Sequence, residues 1–342
     1  MKASYAAHAL QDIATPERAG ARTAARLAEV GALFTADLAW IEGEIAEATG
    51  DGPRSATDAA RHLFSGGGKR IRPLAVLLTA ACFGPVPEQA RALAVVAELV
   101  HLATLLHDDV VDDAPERRGK PTARLVWGNA VSVLAGDLLL THALERTHAA
   151  APALMSDLIA TLRRLVDGEI VQLRGRVQLD VREETYFTIV RDKTASLFGW
   201  AARAGATVAG AEPAQIAALG EFGERLGTAF QLVDDLLDYE GDPRVTGKAL
   251  HADLGEGKVT LPLLRAVGND PSLSRAVELA RQGDADASER LASAVTAPIR
   301  DAVRARARDE AARGIAGLAR LRESPAKSLL AGLARDLTER SA

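Results

Sequence analysis

The sequence predicts an all-α protein, one bundle of long helices. Aromatic residues make up only 4% of the chain, while alanine and leucine dominate it. Both are strong helix formers and weak strand formers. Apolar residues recur at helical spacing, and few stretches alternate as a strand would. Turn signals cut the chain into helix-length pieces at Gly50-Asp51-Gly52-Pro53, Ser65-Gly66-Gly67-Gly68, Gly84-Pro85, Pro115, Pro152, Gly241-Asp242-Pro243, Gly268-Asn269-Asp270-Pro271 and Pro325.

With 342 residues, 48% of them hydrophobic, the chain can bury a sizeable core. No internal repeat and no shift in composition marks a boundary, so residues 1–342 read as a single domain. The stretch Pro87 to Leu106 is apolar nearly all round, which predicts a buried central helix. The tail from about Asp301 is rich in Ala, Arg and Glu and reads as a surface helix.

Lys and Arg number 41 against 46 Asp and Glu, a formal net charge of −5. That balance argues against a nucleic-acid partner, which usually calls for a basic excess. The single cysteine, Cys82, cannot form an internal disulfide, so a reducing, cytoplasmic setting is expected, with Cys82 a buried inert thiol. Residues 1–14 lack the basic start and apolar run of a signal peptide. No stretch is expected to reach the ~18 apolar residues of a membrane span.

The predicted buried helix ends in His107-Asp108-Asp109-Val110-Val111-Asp112-Asp113. Carboxylates directly after a long apolar run are costly unless something neutralises them. Asp108 and Asp112 lie one turn apart on one face, about 6 Å along the axis, where like charges repel. A second cluster, Phe230-Gln231-Leu232-Val233-Asp234-Asp235-Leu236-Leu237-Asp238, repeats the pattern with Asp234 and Asp238 one turn apart and Gln231 one turn earlier. Two matched DDxxD clusters on apolar helices suggest two carboxylate walls facing each other. Oxygen-only ligands suit a hard cation, and Mg²⁺ prefers one or two carboxylates completed by phosphate oxygens and water. The implied ligand is a diphosphate.

The cations a diphosphate needs are present. Ser65-Gly66-Gly67-Gly68-Lys69-Arg70-Ile71-Arg72-Pro73 joins a permissive backbone to Lys69 and Arg72. It lacks the GxxxxGK[ST] spacing of a P-loop, as does Gly241 to Ala249. Arg117-Arg118-Gly119-Lys120 follows the first acidic cluster, and Lys248 and Lys258 follow the second, each after a glycine.

From about Phe64 to Leu264 the chain resembles the trans-type (all-E) prenyl diphosphate synthases. The residues that carry the likeness are GGGKRIRP, LLHDDVVDDAPERRGKPT, VLAGD (Val133 to Asp137), DGEIVQL (Asp167 to Leu173), RDKTASLF (Arg191 to Phe198), FQLVDDLLDY and DLGEGKVTLPLL (Asp253 to Leu264). The resemblance implies an isoprenoid-synthase bundle around a central cavity, followed by C-terminal helices over about 270–342. It implies transfer of an allylic diphosphate's prenyl group to isopentenyl diphosphate, with Mg²⁺, three ions per site, and a homodimer. Asp108, Asp112 and Asp234 would bind the metal, supported by Asp109, Asp235 and Asp238. Arg117, Lys193, Gln231, Lys248 and Lys258 would hold the allylic diphosphate, and Lys69, Arg72, His101 and Arg118 isopentenyl diphosphate. Thr194 and Gln231 would place oxygens near the developing allylic cation. The departing pyrophosphate would take the final proton, so no Ser or Cys nucleophile is required.

The prenyl tail should run from Asp108 back along its own helix, where at 100° per residue Thr104 lies about 40° and Ala97 about 20° from Asp108. Short-chain relatives block the tail with bulky aromatics four or five residues before the first aspartate. Here those positions are Thr104 and Ala103, both small. The run ELVHLATLLHDD resembles long-chain members, which implies a product beyond four isoprene units, with a shorter-product geranylgeranyl or farnesyl diphosphate synthase as the alternative.

Other readings use fewer of these residues. Glu98-x-x-His101 and Glu145-x-x-His148 match a di-iron bundle pattern. His107-Asp108, with His62 and His101, could begin an HD-type phosphohydrolase. A class I terpene cyclase shares the first acidic motif but not a second DDxLD. A non-catalytic subunit of a heteromeric synthase would usually have lost aspartates that this chain keeps.

Overall fold

A computed structural model of the chain describes residues 21–240, 253 and 258–339. The observed helices are α1 (Ala21–Leu33), α2 (Thr35–Ala48), α3 (Arg54–Phe64), α4 (Ile71–Ala81) and α5 (Glu88–Val111). A short hairpin follows, β1 (Glu116–Arg117) and β2 (Lys120–Pro121), then α6 (Ala123–Trp127), α7 (Asn129–Ala150), α8 (Met155–Val177) and α9 (Glu183–Ile189). A π-helical turn, Val190–Ala195, leads into α10 (Ser196–Val208), α11 (Pro213–Glu240) and α12 (Leu261–Asn269). The chain closes with α13 (Leu273–Ala280), α14 (Ala285–Ala294), α15 (Ala297–Gly317) and α16 (Pro325–Thr338). The expected all-α architecture is what forms.

Helix α5 is the axis. It starts after extended Pro87 with Glu88 in its first turn, where a carboxylate complements the helix dipole. Its side chains from Leu93 to Val100 are buried without a break. It packs against α7, α4, α10 and α2. It ends at Val111 with Asp112 as its C-cap, and Asp113 turns the chain with a left-handed φ of 53°. By length and composition α5 could cross a membrane, contrary to expectation. Yet 67% of its most apolar stretch is buried against other helices, the placing of a core helix.

Helix α10 lies along both α4 and α11. A Cβ on Gly205 would fall 2.2 Å from the Val76 carbonyl oxygen, so only glycine permits that approach. A second apolar cluster, centred on Leu263, Leu273, Val277 and Leu291, is built by α12–α14. Leu261 and Leu264 join α12 to Leu232 and Leu236 of α11 and to Val303 and Ala307 of α15.

The Arg-rich tail differs from expectation. Helix α15 is no mere surface helix, because Ile299, Val303, Ala307, Ala311 and Gly314 form a buried face against α11. Alanine and glycine there let the backbones close up, while Arg225 and Arg306 reach over to Glu310. The β-hairpin is the other departure. Arg118 (φ 55°) and Gly119 (φ 76°) occupy the two left-handed positions of a tight hairpin turn, pairing Arg117 with Lys120.

Candidate active site

Five segments converge around the acidic helix ends. Helix α5 contributes Asp108, Asp109 and Asp112, and α11 contributes Gln231, Asp234, Asp235 and Asp238. The π-helical turn lies between them. Its Lys193 ammonium sits 3.7 Å from Asp108 Oδ1. The next residue, Thr194, donates its hydroxyl to Gln231 Oε1 at 3.1 Å. Two adjacent residues therefore touch both acidic helices. A second bridge comes from Lys258, whose ammonium lies 3.2 Å from Asp112 Oδ2.

The π-turn reaches this depth because Gly168 of α8 carries no side chain. A Cβ there would lie 2.6 Å from the Lys193 backbone nitrogen. One residue further along α8, Glu169 pairs with the Lys193 ammonium. Its other oxygen is buried without a hydrogen-bond partner among the described residues.

The second aspartate of each DD pair turns inward. Asp109, 1% exposed, accepts from Arg117 Nε at 2.7 Å. Asp235, 2% exposed, accepts from Gln231 Nε2 at 2.8 Å and from the Tyr186 hydroxyl at 2.5 Å. Asp109 and Asp235 are thus held by Arg117, Gln231 and Tyr186, whereas Asp108 and Asp112 meet the ammonium groups of Lys193 and Lys258. Asp238 is buried on the same helix.

Crowding shows in the acid strengths. Burial, with Glu169 and Asp112 nearby, pushes the Asp108 carboxyl up to about 6 despite Lys193. Burial and Asp253 push Asp235 up to about 7, against the hydrogen bonds from Tyr186 and Gln231. The Tyr186 phenol is driven well above its usual range by burial and by Asp235, Asp253 and Asp234, so it remains a donor. Such crowding fits a multivalent cation. Among the described residues no three His, Cys, Asp or Glu side chains already converge as a metal cage. An ion held here would need ligand oxygens to complete its shell, which is how Mg²⁺ is usually bound.

Cations cluster on the other side of α5. Burial lowers the Arg72 guanidinium to about 10, opposed by Glu98, and its Nε has no hydrogen-bond partner among the described residues. Its planar head lies 4.7 Å from the Phe198 ring centre. Burial, then Arg72, Arg118, Arg117 and Arg70, hold His101 well below its ordinary value, so it is neutral. Arg118 Nη1 donates to the Gly67 carbonyl, tying the hairpin to the glycine loop. Lys69 follows Gly68 in the segment leading to α4.

The loop is anchored by a residue the sequence did not single out. Arg70, 3% exposed with φ 47°, donates from Nε to Glu42 at 2.5 Å and from Nη1 to Glu98 at 2.7 Å. Glu169, Tyr186, Asp253 and Glu42 were likewise given no role by sequence, and Glu98 figured only in the di-iron reading. Glu169 lies inside the quoted DGEIVQL run, but Tyr186 carried no local signal. Lys248 lies outside the described residues.

The competing readings lose their residues. Glu98 is spent on Arg70, and Glu145 lies beside His142, so neither E-x-x-H pair forms a di-iron half-site. His107 Nε2 faces the Val133 carbonyl at 3.1 Å, and His62 faces the Pro121 carbonyl while packing on Trp127. Cys82 is half-buried rather than fully buried, and burial pushes its thiol up to about 11.

Long helices, paired acidic clusters and interleaved cations define an all-α isoprenoid synthase. Residues 53–297 match the family model described as polyprenyl synthetase. The octaprenyl diphosphate synthase of Escherichia coli (strain K12) is 37% identical over 319 residues, covering 92% of this chain and 99% of its own. Among solved structures, a polyprenyl synthase from Caulobacter crescentus CB15 complexed with calcium and isoprenyl diphosphate superposes with a TM-score of 0.87 at 36% identity, covering 92% of this chain and 98% of its own. A decaprenyl diphosphate synthase from Rhodobacter capsulatus gives 0.84 at 33% identity, with the same coverage. The chain belongs to the polyprenyl synthetase family, among its trans-type long-chain prenyltransferases.

Proposed function

We propose that this chain condenses isopentenyl diphosphate with an allylic prenyl diphosphate, releases pyrophosphate, and repeats the step to build a long all-trans polyprenyl diphosphate. The observation that carries this reading is the π-turn, where Lys193 meets Asp108 of one acidic helix and Thr194 meets Gln231 of the other. The Caulobacter relative, solved with calcium and isoprenyl diphosphate, supports a divalent cation and a prenyl diphosphate as ligands.

Asp108, Asp112 and Asp234 would hold Mg²⁺, three ions per site, with Asp238 beside them. Bound there, the ions would neutralise charge gathering on the departing pyrophosphate. Lys193 and Lys258 already stand against Asp108 and Asp112 and would turn their ammonium groups to the allylic diphosphate. Arg117 would act from its perch on Asp109, and Lys248 would join them. Lys69, Arg72, neutral His101 and Arg118 would bind isopentenyl diphosphate. Thr194 and Gln231 would face the allylic carbon, fixed dipoles where positive charge develops. The apolar faces of α5 and α10 would keep water from that cation.

The tail would follow α5 past half-buried Thr104 and fully buried Ala103, with Ala97 and Val100 deeper. Helix α5 itself carries no Phe, Tyr or Trp, which supports a long product. Ile159, Val166 and Ile170 form one exposed apolar face of α8, and Leu134 of α7 is also exposed. A second copy of the chain would cover them, giving a homodimer.

Labelled isopentenyl diphosphate, an allylic primer and the purified chain, with and without Mg²⁺, test the reaction. The expected result is metal-dependent product longer than four units, seen by chromatography after dephosphorylation, and a shorter product from Ala103→Phe. Absence of elongation by the dimeric protein overturns the reading.

A further inference from the structure

Tyr186 stands in α9, just before the π-turn, with its ring packed among Val190, Leu232, Val233 and Leu236 and edge-on to Phe187 at 5.2 Å. Its hydroxyl donates to Asp235 Oδ2 at 2.5 Å. The other carboxylate oxygen accepts from Gln231 Nε2 at 2.8 Å, and Gln231 Oε1 accepts from Thr194 at 3.1 Å. The path leaves the chain at 186, crosses α11, and returns to the same segment at 194. It closes a ring of hydrogen bonds around the π-turn.

The two ends of a glutamine amide are unlike. Both oxygens of Asp235 accept here, one from the Tyr186 hydroxyl and one from the Gln231 amide, so Asp235 draws the amide NH₂ towards itself and turns the carbonyl away. That carbonyl then takes the Thr194 proton and leaves the hydroxyl's lone pairs facing elsewhere. The setting of Asp235 decides the orientation of both groups, and Tyr186 holds the oxygen that Gln231 does not. We propose that Tyr186 is a positioning residue for prenyl transfer, fixing through Asp235 the orientation of the Gln231 amide and the Thr194 hydroxyl. This rests on the prenyl-transfer reading above, in which those two groups face the allylic carbon.

Tyr186→Phe removes one oxygen and keeps the packed ring, so the fold should survive. The expected result is a tenfold or greater fall in kcat, with KM for both substrates within twofold and an unchanged helical circular-dichroism spectrum. A purely structural role would lower activity in any background. In the Gln231→Ala background the relay is already cut, so adding Tyr186→Phe should change kcat by less than twofold. Full multiplication of the two losses, or wild-type kcat in Tyr186→Phe, overturns the proposal. An unmutated chain with no elongation at all would instead defeat the prenyl-transfer reading, a result distinct from either.

Discussion

The Lys258 ammonium lies 3.2 Å from Asp112 Oδ2, although 146 residues separate them in the chain. The contact folds the segment after the second acidic cluster over the end of the first. The Lys258 backbone N–H donates to the Asp253 carbonyl at 2.9 Å, so its neighbour along the segment fixes its height. The side chains are 22% and 7% exposed, and solvent screens the pair only in part. Lys258→Met should keep the apolar stem and remove the charge. A charge-assisted contact is worth roughly 1.5–3 kcal/mol, or about 10- to 100-fold in rate if it acts in the transition state. Steady-state kinetics with the allylic substrate varied should show that loss in kcat/KM, and an unchanged value removes Lys258 from the site.

Asp108 gives a pH prediction whose sign runs opposite to the usual paired carboxylate. Its folded value of about 6 lies above the ordinary 3.8, so the folded state binds the proton more tightly than the unfolded chain. Below about 4 both states are protonated and no penalty exists. As pH rises from about 4 to 6 the unfolded chain ionises while the folded acid keeps its proton, and stability falls by an order of 2–3 kcal/mol. Asp108→Asn escapes the penalty and leaves Lys193 its Glu169 partner. In metal-free buffer the variant should melt higher than the parent at pH 7.5 and level with it near pH 4, while its turnover is lost. Equal melting temperatures at both pH values refute the assignment.

Gly168→Ala sets two effects against each other. Alanine favours a helix interior by about 1 kcal/mol over glycine. The added methyl would lie 2.6 Å from the Lys193 nitrogen and 3.1 Å from Asp192 Cβ, and backbone cannot swing aside as a side chain can. The clash should win. We expect a lower melting temperature and about a hundredfold slower turnover, since a shift near 1 Å in a positioning group costs that much. A more stable, fully active variant would mean the π-turn tolerates retreat from α8.

The sequence made the acidic walls legible because their order is local. Asp108 and Asp112, or Asp234 and Asp238, share a face by helical period alone, and buried α5 followed from its unbroken apolar run. What stood behind them depended on packing between distant segments. Nothing near Tyr186 in the chain marks it as the donor to Asp235, and nothing near Glu42 points to Arg70. The α15 face was misread because Ala307, Ala311 and Gly314 add little hydrophobicity, although their small size is what brings α11 close. The hairpin was hidden too, because its turn places a non-glycine residue, Arg118, at φ 55°.

Arg70 offers a way to separate stability from binding. It is buried between Glu42 and Glu98 in a left-handed backbone conformation, one residue after Lys69 and two before Arg72. Arg70→Met strands two buried carboxylates and should cost about 3–5 kcal/mol. Adding Glu42→Gln and Glu98→Gln removes the stranded charges and should restore most of the melting temperature, since a buried ion network can often be replaced at little net cost. Binding should not recover. Glu98 is also the carboxylate that offsets the desolvation of Arg72, and Arg70 fixes the backbone between the two cationic residues assigned to isopentenyl diphosphate. The triple variant should therefore melt near the parent yet show a KM for isopentenyl diphosphate raised at least tenfold, with the allylic KM little changed. A triple variant that recovers both stability and KM would reduce the network to a structural staple.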